Sequence, residues 1–176
     1  RPLTVGHSDL RGAHGNRADQ LLVRLQAQRV FQERAVVGGP AGQPLRAVAQ
    51  RLRGLGDTRS FEALYIWGPP GCGKSHLLAA TAATAHGQRT LVFLTGSEAG
   101  AELTLAPGTL LVIDDVQALS EEAQVALFRA FNAARFLGLA VLLAGGEPPL
   151  RLELREDLRT RIGQTLIYEI QSLSDD

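Results

Sequence analysis

Residues 68–75 read Gly68-Pro69-Pro70-Gly71-Cys72-Gly73-Lys74-Ser75. The apolar run Ala63–Trp67 precedes them, and the helix-favouring stretch Lys74–His86, stopped by Gly87, follows. Gly, four residues, then Gly-Lys-Ser between a strand and a helix is the spacing and context of a phosphate-binding loop. Gly71 and Gly73 let the backbone bend until successive N–H groups face one anion, aided by the positive end of the following helix. Lys74 then reaches the β- and γ-phosphates, and the Ser75 hydroxyl serves as a magnesium ligand. A Gly-rich turn matching by chance is the alternative. Against it stands a compositional fact: seventeen of the eighteen basic residues are Arg, and the single lysine is Lys74. Cys72, between the loop glycines, sits where most residue types are tolerated, and a redox role is an alternative reading. His76 closes the candidate cofactor-binding segment; it and Trp67 read as packing or capping residues rather than catalysts.

Forty residues on, Leu110-Leu111-Val112-Ile113-Asp114-Asp115 is an apolar strand ending in two carboxylates. The C-terminal edge of a parallel strand is where ligands bind. Asp114 is the second candidate magnesium ligand, through water, and Asp115 the group that orients or deprotonates an attacking water. Adjacent strand residues point to opposite faces, so the two carboxylates have different jobs. A polar strand end that caps the next helix is the plainer reading.

Five short apolar runs, Ala63–Trp67, Thr90–Leu94, Thr109–Ile113, Leu139–Ala144 and Thr165–Ile170, punctuate the chain beyond residue 60. Being continuous rather than alternating, they predict a sheet covered on both faces. Helical patterns lie between them at Lys74–His86, at Glu121–Phe136 after Ser120 as N-cap, and more weakly at Glu153–Thr160. The predicted fold is α/β, a three-layer, largely parallel five-stranded sheet with helices on both faces. The link from Leu94 to Thr109 is too short and too rich in Gly and Pro for a helix. Upstream, Leu45, Val48, Ala49 and Leu52 recur at helical spacing until Gly54 and Gly56.

The chain has 176 residues, 45% hydrophobic and 20% charged, the usage of a globular domain. No apolar run approaches the ~20 residues of a membrane span and no secretory signal is evident, which leaves a cytoplasmic protein as the expectation. One cysteine excludes a disulfide framework, and His7, His14, His76 and His86 lack metal-ligand spacing. The formal charge of zero divides into +6 over residues 1–59 and −6 over residues 60–176. A basic first third suits DNA phosphates or an acidic partner, or is a solvated leader. Residues 1–29 are read as a flexible basic leader and 30–176 as the nucleotide-binding core.

The phosphate loop, the Asp-Asp strand and Leu158-Arg159-Thr160-Arg161-Ile162-Gly163 together resemble the core of AAA+ ATPases, over residues 30–174. Ile113-Asp114-Asp115-Val116-Gln117 is similar to the second motif of the DnaA-like branch. The resemblance implies a P-loop NTPase fold and ATP or ADP with Mg2+ as cofactors. It matches Phe31 and Val36-Val37-Gly38 to the loop enclosing the adenine, with Val37 as a cofactor-binding residue, where a plain core segment is the alternative, and Arg161 to the arginine finger. Such a finger acts on a neighbour's γ-phosphate, which implies a partner ATPase or a homo-oligomer. Read without the family, Arg161 is a surface residue pairing with Glu156 or Asp157.

Two departures accompany the resemblance. Gly146 stands where the family carries a polar sensor side chain, and the chain stops at Asp176, which on this reading leaves out the helical lid. The turn Gly146-Glu147-Pro148-Pro149 and the ending Tyr168–Asp176 are similar to the Hda subfamily, regulators that inactivate DnaA. That similarity implies DnaA and the polymerase sliding clamp as partners. The clamp is met by a short N-terminal peptide, resembled here by Gln20, Leu21, Val23 and Leu25; an ordinary amphipathic leader is the alternative. The implied function is promotion of hydrolysis of DnaA-bound ATP, with weak intrinsic ATPase at most. The rivals are the AAA+ core of a DnaA-type initiator or helicase loader, and a non-enzymatic DnaA-like adaptor.

Overall fold

The computed structural model describes residues 50, 54, 55 and 61–170. Its strands are β1 (Glu62–Trp67), β2 (Leu91–Thr95), β3 (Leu110–Asp114), β4 (Ala140–Gly145) and β5 (Leu166–Glu169). Each lies within a residue or so of its apolar run. The helices are α1 (Lys74–Ala85), α2 (Glu121–Leu137) and α3 (Glu156–Gly163), with 3-10 turns at Val116–Ala118 and Pro149–Arg151. All strand pairs are parallel, in the order β2-β3-β4-β1-β5. No helix forms between β2 and β3. Of the upstream helical pattern, Gln50 and Gly54 are helical and Leu55 is buried, while Leu45, Val48, Ala49 and Leu52 lie outside the described residues.

Both faces of the sheet are covered, as continuous apolar strands require. Leu64, Ile66, Leu110, Val112, Leu142 and Ala144 pack with α1 on one face. Their alternate neighbours Tyr65, Leu111, Ile113, Val141 and Leu143 pack with α2 and α3 on the other. The three layers follow from the two-residue period of the strands.

Helix α2 starts where its sequence says it should. The Ser120 hydroxyl oxygen accepts the Ala123 N–H at 3.2 Å, and Glu121 and Glu122 stand in the first turn against the positive end of the dipole. Leu127, Ala130, Phe131 and Ala134 form its buried stripe. Gln124 is also buried; its Nε2 donates to the Leu119 carbonyl at 3.1 Å and its Oε1 accepts the Arg155 N–H at 2.8 Å. That clip sets the start of α3 at Glu156, three residues beyond the start its pattern suggested. Leu158 and Ile162, one turn apart, seat α3 in the core. Among the described residues no helix is long and apolar enough to cross a membrane.

Candidate nucleotide-binding site

Parallel pairing delivers the C-terminal ends of β3, β4 and β1 side by side, and the phosphate loop leaves the last of these. Trp67 lies in register with Gly145 of β4 and with Glu169 of β5. The Gly68 N–H donates to the Gly145 carbonyl at 3.3 Å, and the Ile170 N–H to the Trp67 carbonyl at 2.7 Å. A Cβ on Gly68 would overlap the Ile170 carbonyl oxygen and come within 2.9 Å of Cys72 Sγ, so glycine is required for this close approach. Gly71 and Gly73 take positive φ of 78° and 94°, the bend expected of a loop that turns its N–H groups inward.

The first ladder bond at the start of α1 is donated by the Leu77 N–H to the Gly73 carbonyl at 3.1 Å. The N–H groups of Lys74, Ser75 and His76 therefore stay outside the helix ladder, directed at the loop, as an anion site requires. Lys74 Nζ donates to the Gly68 carbonyl at 2.6 Å and the Pro69 carbonyl at 2.9 Å, and lies 3.6 Å from Cys72 Sγ. The ammonium is thus held over the loop by exchangeable backbone partners. Ser75 Oγ donates to Asp114 Oδ2 at 2.6 Å across the end of β4, joining residues 39 apart in sequence. These are hard oxygen donors, one of them a carboxylate, and they fit a magnesium ion. Asp114 is buried, and its Oδ1 accepts the Asp115 N–H at 2.9 Å. Cys72 is buried under the loop, while His76 is exposed on the first turn of α1.

Asp115 lies just past the end of β3, where the chain leaves strand geometry, so its direction is not set by strand alternation. It is exposed, begins the 3-10 turn with φ 51° and ψ 59°, and its Oδ1 accepts from Gln117 Nε2 at 3.4 Å. Below it, the buried Tyr65 hydroxyl donates to the Glu147 carbonyl at 2.5 Å. Burial, with the Glu147 carboxylate adding to it, pushes the Tyr65 phenol well above its ordinary pKa and keeps it a neutral donor.

Arg161 is elsewhere. It lines a cleft of about 510 Å³ with Glu62, Asn132, Arg135 and Thr165, at the start of β1 rather than at its end. From Glu62 to Trp67 the strand rises roughly 17 Å at ~3.3 Å per residue, so this guanidinium cannot touch an anion held at its own chain's loop. Its Nη2 donates to Asn132 Oδ1 at 2.6 Å and its carbon lies 5.5 Å from the Phe128 ring centroid. The pairing with Glu156 or Asp157 does not form. Asp157 instead binds Arg155 at 3.1 Å, and this exposed contact holds its carboxyl below the ordinary range. Val37 and Phe31, and Gln20, Leu21, Val23 and Leu25, lie outside the described residues.

Residues 25–169 match the family model of the bacterial DnaA ATPase domain. The chain belongs to this family. Over 149 residues it is 34% identical to the chromosomal replication initiator protein DnaA of Bradyrhizobium sp. strain BTAi1, covering 74% of this chain and 31% of the relative. It therefore spans about a third of the length of the curated initiators it matches. AMPPCP-bound DnaA from Aquifex aeolicus superposes with a TM-score of 0.62 at 25% identity, over 76% of this chain and 48% of that one. A Neisseria meningitidis protein solved in solution gives 0.51 at 33% identity, over 69% of this chain and 83% of that one. The molecule is a DnaA-like AAA+ domain, of the family linked to replication initiation, and its five-stranded sheet is the AAA+ P-loop arrangement.

Two side chains at these sites carry no signal of their own in the sequence. Gln117 stands inside the Ile113–Gln117 motif, and only the fold brings it beside Gly145 and Gly146. Asn132, the Arg161 partner, is 29 residues away and carried no local signal.

Proposed function

We propose that this domain binds ATP or ADP with magnesium at the loop Gly68–Ser75 and regulates replication initiation by acting on a partner's nucleotide, in the manner of Hda. In this reading the N–H groups of Gly71–Ser75 and the Lys74 ammonium cradle the β- and γ-phosphates, while Ser75 and Asp114 hold the metal. Magnesium, when bound, neutralises charge on the phosphate oxygens. Asp115 takes the proton of the attacking water. Val37 closes over the adenine, and Gln20, Leu21, Val23 and Leu25 dock on the sliding clamp.

The observation that carries the reading is the division of the machinery between two ends of the sheet. The phosphate loop, Ser75 and Asp114 assemble at one edge; Arg161, which has no carboxylate partner among the described residues, waits at the other. A finger so placed suits DnaA-bound ATP in trans. The test is to incubate the complete protein with DnaA–ATP, clamp and DNA and measure conversion of that ATP to ADP. Conversion unchanged by the protein would refute the regulator.

The 34% identity to DnaA initiators favours a second reading, in which this is the ATPase core of an initiator assembling on DNA. Absence of clamp binding together with strongly salt-dependent DNA binding would select it.

A further inference from the structure

The turn leaving β4 offers no side chain at Gly145 or Gly146, and the space beside it is filled from another strand end. A Cβ on Gly145 would overlap the Tyr65 hydroxyl and stand 3.2 Å from Gln117 Oε1; one on Gly146 would meet only Gln117 Nε2, at 3.7 Å. The Gln117 carboxamide therefore lies over both glycines. The same Nε2 donates to Asp115 Oδ1, and among the described residues this is the sole hydrogen bond to that carboxylate.

The Asp115 backbone is held from several sides. Its positive φ is the only one at a non-glycine among the described residues. Its carbonyl accepts the Ala118 N–H at 2.9 Å, and a Cβ on Gly96 would overlap that same oxygen. Backbone strain kept in place by its surroundings is characteristic of functional sites. With the main chain fixed, the direction of the Asp115 carboxylate is left to Gln117. A bond of 3.4 Å is long, as catalytic hydrogen bonds often are before substrate arrives.

Resting on the nucleotide-site reading above, we propose that Gln117 is a positioning residue for ATP hydrolysis, aiming the Asp115 carboxylate from the space that Gly145 and Gly146 leave open. In the step concerned, water attacks the γ-phosphorus and gives its proton to Asp115. The bond from that phosphorus to the β–γ bridging oxygen breaks, and ADP leaves with the bonding pair. Phosphate is the other product, and Asp115 returns its proton to solvent.

The experiment uses the complete protein, single-turnover hydrolysis with Mg–ATP, and binding of a fluorescent ADP. Gln117→Ala removes the carboxamide, and Gln117→Glu keeps its size without the N–H donor. Both are expected to lower the hydrolysis rate about ten- to a hundredfold while KM and ADP affinity stay within about twofold, a split that lost packing would not produce. Gln117→Ala combined with Gly146→Asn returns a carboxamide to the same space from β4 and is expected to recover much of the rate. A wild-type rate in either single variant, no recovery in the double variant, or wild-type protein that binds nucleotide without cleaving it overturns the role of Gln117 and leaves the nucleotide site standing. Failure of the wild type to bind ADP overturns the nucleotide-site reading itself, and this inference with it.

Discussion

Gly145→Ala adds one methyl group at a crowded point beside the site, and the structure says what it would meet. The new Cβ overlaps the Tyr65 hydroxyl and stands 3.1 Å from Val116 Cγ2 and 3.2 Å from Gln117 Oε1. Tyr65 is fully buried and tied to Glu147, so its hydroxyl cannot swing away without losing that bond. Overpacking of this kind costs about 1–3 kcal/mol. Tyr65→Phe alone gives up one hydrogen bond, about 1 kcal/mol net. The two costs cannot both apply in full, because Tyr65→Phe removes the very atom that the added methyl group strikes. The double variant should therefore be less destabilised than the sum of the singles by about 1 kcal/mol or more, within the range for residues in contact. Urea unfolding of the wild type, the two single variants and the double variant measures this coupling. Strictly additive costs would show that the hydroxyl is not against Gly145, and would remove the packing that sets the strand ends beside the phosphate loop.

Lys74→Ala should weaken ADP and ATP binding by about 2–3 kcal/mol, roughly 30- to 150-fold, the loss of charge-assisted hydrogen bonds to phosphate; titration calorimetry with equal affinities for both proteins would remove the site assignment. Intrinsic ATP turnover should be slow, since Gly146 presents no side chain and Arg161 lies at the far end of β1; a steady-state rate of about ten per second, that of an ordinary enzyme, would contradict this. Clamp affinity should vary little with salt and fall on Gln20→Ala with Leu21→Ala, whereas binding by the basic segment to DNA phosphates should fall steeply with salt; titrations at two salt concentrations separate the two.

Much of the architecture was readable because it is local. Five apolar runs became five strands, and Ser120, Glu121 and Glu122 announced the start of α2 in residues that touch one another. The beginning of α3 was not readable in the same way, since the clip from Gln124 to the Arg155 N–H spans 31 residues and overrides a weak periodic signal. The site divides along the same line. Gly71, Gly73, Lys74 and Ser75 declared a phosphate loop by spacing alone, and Ser75 in the first turn of α1 meets Asp114 at the end of β3. That Lys74 rests on the Gly68 and Pro69 carbonyls, that Asn132 holds Arg161, and that Gln117 covers the two glycines are facts of tertiary packing. The first depends on how the loop backbone curls back on itself, and the other two on side chains reaching between elements far apart in sequence.

Arg161→Ala in the complete protein, assayed for conversion of DnaA-bound ATP to ADP with clamp and DNA present, decides whether Arg161 acts in trans. Among the described residues the Arg161 guanidinium meets Asn132 and the Phe128 face at an open cleft, so the variant should fold and bind nucleotide as the wild type does. Stimulated hydrolysis should fall by about 10³-fold or to the unstimulated level, the scale of a finger acting on transition-state charge. A folded Arg161→Ala protein that stimulates DnaA as well as the wild type would contradict the trans-acting role.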